Sequence, residues 1–190
     1  MINRAYFKEI KKEMEKYDAK REDLIKKSRD VIKFSKEIIY AIHRKDLKSA
    51  EESVKKIDKA LSDMTKEVKK DPKLDIGSYR VAVQEYVEAL CYFAFVKNKK
   101  LPTHKDLGVT SEYYLLGLCD LTGELVRKAI NSAIKGDTKP AFEIKDFVEE
   151  LYNELMLFDF RGGELRKKFD SIKYDLGKLD QLAFDITVKK

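Results

Sequence analysis

Proline and glycine are scarce, at three and eight in 190 residues. With lysine, glutamate, leucine and alanine plentiful, this leaves little punctuation for short strands and suits a mainly helical chain. Histidine and cysteine are scarcer still, with two of each. No CxxC pair occurs and the histidines, His43 and His104, stand far apart, which argues against a zinc site. Cys91 and Cys119 lie among apolar residues and read as small buried hydrophobes in a reducing compartment. No uncharged run approaches the ~20 residues needed to span a bilayer, and "MINRAYFKEIKKEMEK" lacks the apolar centre of a signal peptide. A soluble, cytoplasmic protein with no membrane partner is therefore expected. What the chain does have is charge: 39% charged residues and a formal net charge of +6, which admits a polyanionic partner without requiring one. Its 43% hydrophobic residues suffice for the core of a single domain over residues 1–190.

Breaks fall at "KKDPKLDIGS", "KNKKLPTHKDLGVTS", "KGDTKP" and "FDFRGGE". Between them apolar residues recur at helical spacing. Leu24, Val31 and Ile38 are seven apart, as are Ile25, Ile32 and Ile39, with small Ser28 and Ser35 on the same face. One helix from about Ala5 to Arg44 would be roughly 60 Å long. At the other end Leu165, Phe169, Ile172, Leu176, Leu179, Ala183 and Ile186 alternate steps of four and three, a stripe that needs a helical partner in this chain or another. Helices near 47–70, 77–98, 110–135 and 140–157 lie between. Thr110 or Ser111 and Thr138 are candidate N-caps, and Pro140 suits a first turn. The fold class expected is all-α: an antiparallel multi-helix bundle with long N- and C-terminal helices.

Within the very apolar "VAVQEYVEALCYFAF", Glu85 and Glu88 share one helix face at i, i+3. Asp120 and Glu124, at i, i+4 in "YLLGLCDLTGELV", match them on a second apolar helix, flanked by Gly117 and Gly123, which would allow close approach. Buried carboxylates need a basic partner, a proton or a metal ion. If the two helices face each other, mutual repulsion raises the carboxyl pKa values unless a cation intervenes. An all-oxygen set suits Mg²⁺ or Mn²⁺, and such an ion can activate water and stabilise a displaced phosphate oxygen. Salt bridges, from Arg127 or Lys128 to Glu124 for example, are the plain alternative. Nuclease and nucleotide-hydrolase chemistry both remain open on the carboxylates alone.

The wording of these motifs adds to their spacing. "VQEYVEA" followed by "YLLGLCDLTGELVRKAINSAIKGD" resembles the translin family, most closely its catalytic branch, translin-associated factor X. The similarity extends to "LIKKSRDVIKFSKEIIYAIHR" and to "ELRKKFDSIKYDLGKLDQLAFDITV", the latter more like translin proper, and so covers about Arg21 to Val188. The resemblance implies a translin-type helical bundle and a metal-dependent endoribonuclease acting on single-stranded RNA within a hollow octamer, with DNA as a further candidate binding partner. By motif position it assigns the catalytic and metal-binding roles to Glu85, Glu88 and Asp120. Glu124 is a further candidate metal ligand, but it occurs in both branches and equally suits a supporting role. Arg80 lies where translin has a nucleic-acid-binding arginine, and Arg29 and Lys33, with Lys26 and Lys36, form a basic stripe that would meet RNA. Tyr86 and Tyr114 could stack on bases, although at helical spacing they also read as core.

Two departures are visible. The "NKKLPTHKDLGVTSEYY" connection is short for the catalytic branch, and a catalytic-branch centre is joined to a translin-like end. Both suggest a stand-alone ancestral form, archaeal in type, in which one chain builds a homo-oligomer and supplies every site. Three other readings stay open: a non-catalytic single-stranded nucleic-acid-binding protein, an all-α nucleotide pyrophosphohydrolase and a structural coiled coil.

Overall fold

The computed structural model describes residues 2–188, folded as six helices: α1 (Arg4–His43), α2 (Leu47–Lys70), α3 (Gly77–Asn98), α4 (Ser111–Ile134), α5 (Lys139–Met156) and α6 (Gly163–Val188). A 3-10 turn, Pro72–Leu74, precedes α3, and no strand occurs among the described residues. None of the helices is long and apolar enough to cross a membrane. The fold is the all-α bundle expected from the periodicity.

One contiguous core draws on all six helices. Leu24, Val31 and Ile38 are fully buried along α1, and Ser28 and Ser35 between them are 1% and 0% exposed. Each serine hydroxyl donates to the carbonyl one turn back, Ser28 Oγ to Leu24 O at 2.9 Å and Ser35 Oγ to Val31 O at 3.1 Å. These bonds satisfy a polar group inside a close helix contact. The stripe on α6 turns inward within this chain: Phe169, Ile172 and Leu179 are buried, and Leu165, Leu176 and Ile186 pack against the core. Thr110 caps α4 by accepting from Tyr113 N at 3.4 Å. Pro140 sits in the first turn of α5, whereas Thr138 makes no side-chain cap there, its backbone already being helical.

Short turns reverse the chain between α1 and α2, α4 and α5, and α5 and α6. The longer connection 99–110 instead carries the chain back, so that α4 runs beside α3 in the same direction. Tyr79 meets Tyr113 near their first turns, ring centroids 6.2 Å apart, and further along Val87 meets Gly117. α1 shares this direction: Tyr17 OH donates to Lys73 O just ahead of α3, and His43 meets Tyr92 near its end. Three co-directional helices therefore hold equivalent turns side by side, which brings acidic motifs from α3 and α4 to one level.

Before Tyr17, α1 stands clear of the core. Residues 4–16 bury nothing fully, and Phe7 and Met14 are 60% and 62% exposed.

Candidate active site

Gly117 sets the spacing of the two acidic helices. A Cβ built there would lie 2.6 Å from both Cβ and Cγ1 of Val87 and 2.9 Å from Gln84 O, so only glycine permits this approach. Gly123, expected to share the role, has open space around its Cα and faces solvent. It is therefore not a spacer.

Across this contact Glu85 and Glu88 of α3 meet Asp120 and Glu124 of α4, all partly buried. The Glu88 carboxyl is pushed up to about 8, first by burial and then by the Asp120, Glu85 and Glu124 carboxylates, with Lys168 pulling weakly against them. Glu85 is raised as well: burial leads, Lys36 opposes it, and Asp120 adds to it. Asp120 is raised by burial against its bond to Lys168. This is the signature of too many carboxylates in too little water.

Four basic side chains answer them, three of them far away in sequence. Lys168, from α6, donates to Asp120 Oδ2 at 2.5 Å and to the buried Gln84 Oε1 at 2.9 Å. His43, the last residue of α1, places Nε2 2.6 Å from Glu124 Oε2. Its Nδ1 faces Tyr92 OH at 3.5 Å. Arg127 lies 3.7 Å from Glu124 and over the Tyr40 ring. Lys36 is the cation that weighs most on Glu85. Sequence reasoning missed Lys168 and His43 as parts of the site. Lys168 left one trace: it sits on the α6 apolar face, between Leu165 and Ile172, where a lysine is out of place. No periodic signal marks His43.

As they stand, no three Asp, Glu, His or Cys side chains among the described residues converge closely enough to hold a metal ion. The reason is visible: Asp120 is engaged by Lys168 and Glu124 by His43 and Arg127. The donor chemistry nonetheless suits a hard divalent ion, since the donors are all carboxylate oxygen and burial with mutual repulsion raises the Glu88 carboxyl.

The basic residues on α1 lie on the approach to this cluster. Arg29, Lys33 and Lys36 line a shallow groove of about 440 Å³ with Ile32, Glu37 and Tyr40. None of these three cations is ion-paired among the described residues. Arg80 is placed otherwise. Its Nε donates to Asp75 Oδ1 at 3.1 Å, an oxygen that also accepts from Tyr113 OH at 2.8 Å. The arginine is thus turned toward the start of α3, not toward Glu85. Tyr86 is core, 5% exposed, with its hydroxyl donating to Asp58 at 2.9 Å. Tyr114 is tied to Pro102 O at 2.8 Å. Both cysteines are free and buried, with their thiols pushed up to about 12 by burial.

Residues 19–190 match the Translin family. The chain belongs to the translin family. Among relatives, translin-associated protein X of Rattus norvegicus is 27% identical over 96% of this chain and 78% of that protein. Translin of Gallus gallus is 35% identical, but over only 41% of this chain and 34% of its own length. An uncharacterized protein of Methanocaldococcus jannaschii is 32% identical over 80% and 70%. Two solved structures superpose closely on this translin-family fold. Apo-NeC3PO does so with TM-score 0.87, 30% identity and 96% of each chain covered. AfC3PO in complex with duplex RNA does so with TM-score 0.87, 28% identity, and 97% and 98% covered.

Proposed function

We propose that this translin-family chain is a metal-dependent endoribonuclease. The observation that carries the reading is Glu88, a carboxyl pushed up to about 8 by burial and by three neighbouring carboxylates. Glu85, Glu88 and Asp120 would hold Mg²⁺ or Mn²⁺, with Glu124 beside them. When bound, the ion supplies an activated water and neutralises charge on the scissile phosphate. The chain's own part is positioning. Arg29, Lys33 and Lys36 offer a phosphate track along α1 that ends at Glu85. His43 fixes the Glu124 carboxylate, and buried Gln84 holds the Lys168 ammonium beside Asp120. Lys168, held between Asp120 and Gln84, is placed where it would face a phosphate brought to the carboxylates.

RNA as the substrate draws support from the relative solved with duplex RNA and from the α1 groove, where three cations outnumber the one carboxylate, Glu37. Arg80 remains a candidate backbone contact, since it is exposed. A homo-oligomer fits the apolar residues left on the surface, among them Leu157, Phe158 and Phe184 at 79%, 52% and 62% exposed; the family resemblance makes the octamer its expected form. Light scattering reporting a stable monomer would rule the oligomer out.

A second reading, RNA binding without cleavage, is favoured by one observation: the donors do not yet converge. End-labelled single-stranded RNA, RNA duplex, DNA and a nucleoside triphosphate, each with Mg²⁺ or EDTA, separate the two. The expected result is Mg²⁺-dependent cutting of RNA that Glu88→Ala abolishes. Binding with no cutting under any divalent ion refutes the nuclease. Turnover of the free nucleotide alone moves the chain to pyrophosphohydrolase chemistry.

A further inference from the structure

The C-terminal ends of α1 and α4 lie side by side, and both close in the same backbone pattern. After α4, Gly136 N donates to Ala133 O and Asp137 N to Ser132 O, with Gly136 at φ 82°. After α1, Lys45 N donates to Ile42 O and Asp46 N to Ala41 O. Here the left-handed position, φ 63°, is held by Lys45. That position strongly favours glycine, and any side chain there meets steric resistance. One of two adjacent and equivalent caps thus keeps a lysine where its neighbour has a glycine.

Lys45 does not point into empty solvent. It lines a small cleft with Lys128, Lys135, Asn131 and Ser132, closed by His43 and Ile42, with Asp137 as the sole carboxylate on the wall. The half-buried Lys128 has no carboxylate within ion-pair distance among the described residues. Lys99 and Lys45 both repel it, and Asp137 offsets them in part. Lys99 has its own partner, Glu143, at 2.9 Å. Helix dipoles account for cations at the last turn, and so for Lys135 and Lys45. They do not account for Lys128, nearly two turns inside α4, because that effect fades within one turn.

Size narrows the ligand. The cleft encloses about 30 Å³, room for one or two water-sized groups, so it admits the oxygens of an anion and excludes a base or a sugar. Ammonium, amide and hydroxyl donors around that space match a phosphate. The cleft also backs onto the candidate active site, because the His43 that closes it bonds Glu124 at 2.6 Å. Asp120, Glu124 and Lys128 follow each other at one-turn intervals on α4. From Asp120 to Lys128 is about 12 Å along the axis, short enough for a strand held at the carboxylates to reach the cleft with a neighbouring phosphate.

We propose that the Lys45–Lys128–Lys135 cleft is a phosphate subsite that grips the RNA backbone beside the carboxylate cluster. This rests on the reading of the chain as an RNA-binding enzyme. The test is fluorescence anisotropy of a labelled single-stranded RNA on the full chain, in EDTA, from 50 to 200 mM KCl. Lys128→Gln and Lys45→Gly are compared with Lys11→Gln on the exposed start of α1. One phosphate contact contributes about 0.7 to the salt slope for a single strand, or roughly fivefold in affinity at 0.1 M salt. Both cleft variants are expected to lose that much, while Lys11→Gln loses little. Lys45→Gly relieves the backbone, so its melting temperature should rise even as RNA binding falls, which separates a lost contact from a damaged fold. Unchanged binding and slope in both variants overturn the subsite, as does an equal loss in Lys11→Gln, which would mean bulk charge alone. A melting temperature that phosphate raises in wild type but not in Lys128→Gln, with RNA binding intact, assigns the cleft to a free anion and overturns the RNA contact. A wild type that binds no RNA refutes the proposed function itself.

Discussion

Replacing Glu88 by Gln, an isosteric and permanently neutral side chain, isolates what its ionisation does to the metal-free fold. The folded protein holds a proton on Glu88 up to about pH 8, whereas an ordinary glutamate releases it near 4.5. The stability contributed by this group is complete below pH 4.5. It declines as pH rises between those values, and it is lost above about 8. At 1.36 kcal/mol per pKa unit, the full difference is about 5 kcal/mol. Partial exposure and local relaxation reduce this to roughly 2–3 kcal/mol. For a chain of this length 1 kcal/mol moves the melting temperature by about 2–4 °C, so Glu88→Gln should melt roughly 4–12 °C above wild type at pH 9. At pH 5 the two should nearly coincide. Calorimetric melts in EDTA from pH 5 to 9 measure the difference directly, and titrations common to both proteins cancel. Adding Mn²⁺ at pH 8 should raise wild type and leave Glu88→Gln in place. Parallel melting curves across the pH range would refute the argument that crowded carboxylates hold this proton.

The two glycines of α4 should respond oppositely to alanine. Gly117→Ala drives a methyl into Val87 and the Gln84 carbonyl and should cost about 1–3 kcal/mol, with RNA cleavage falling as the acidic motifs are pushed apart. Gly123→Ala meets nothing and should add about 0.5–1 kcal/mol through helix propensity alone. Urea melts distinguish the pair, and a destabilised Gly123→Ala would contradict the open space seen there. Lys168→Met removes the cation on Asp120 and the donor to Gln84, neither lysine nor aspartate being more than a third exposed, at 25% and 31%. Stability should fall by roughly 1–3 kcal/mol. Mn²⁺ affinity, read by calorimetry, should rise about tenfold, and unchanged affinity would show that Lys168 does not compete for the site.

Local order was legible in the sequence because it is written in neighbouring residues. α2 and α3 run over the residues that their apolar spacing marked, 47–70 and 77–98, and α4 and α5 differ by a single residue at each end. The two acidic pairs were legible for the same reason. Their basic partners were not: Lys168 stands 48 residues from Asp120, and His43 stands 81 from Glu124. No helical period links positions so far apart. Arg80 shows the limit of a position read from a motif: its resting partner, Asp75, lies five residues earlier, and the motif wording did not name it. Gly123 matched Gly117 in type and neighbourhood, and only the facing of α3 against α4 tells them apart.

The first three turns of α1 lie beyond the last tether to the bundle, with Phe7, Ile10 and Met14 spaced along one side. A helix so short is marginal in water on its own, so this stretch is the least protected part of the fold in a lone chain. Its amide protons make a natural gauge of company. They exchange at the pace of an isolated peptide when the chain is alone, and they slow only when another surface lies along that side.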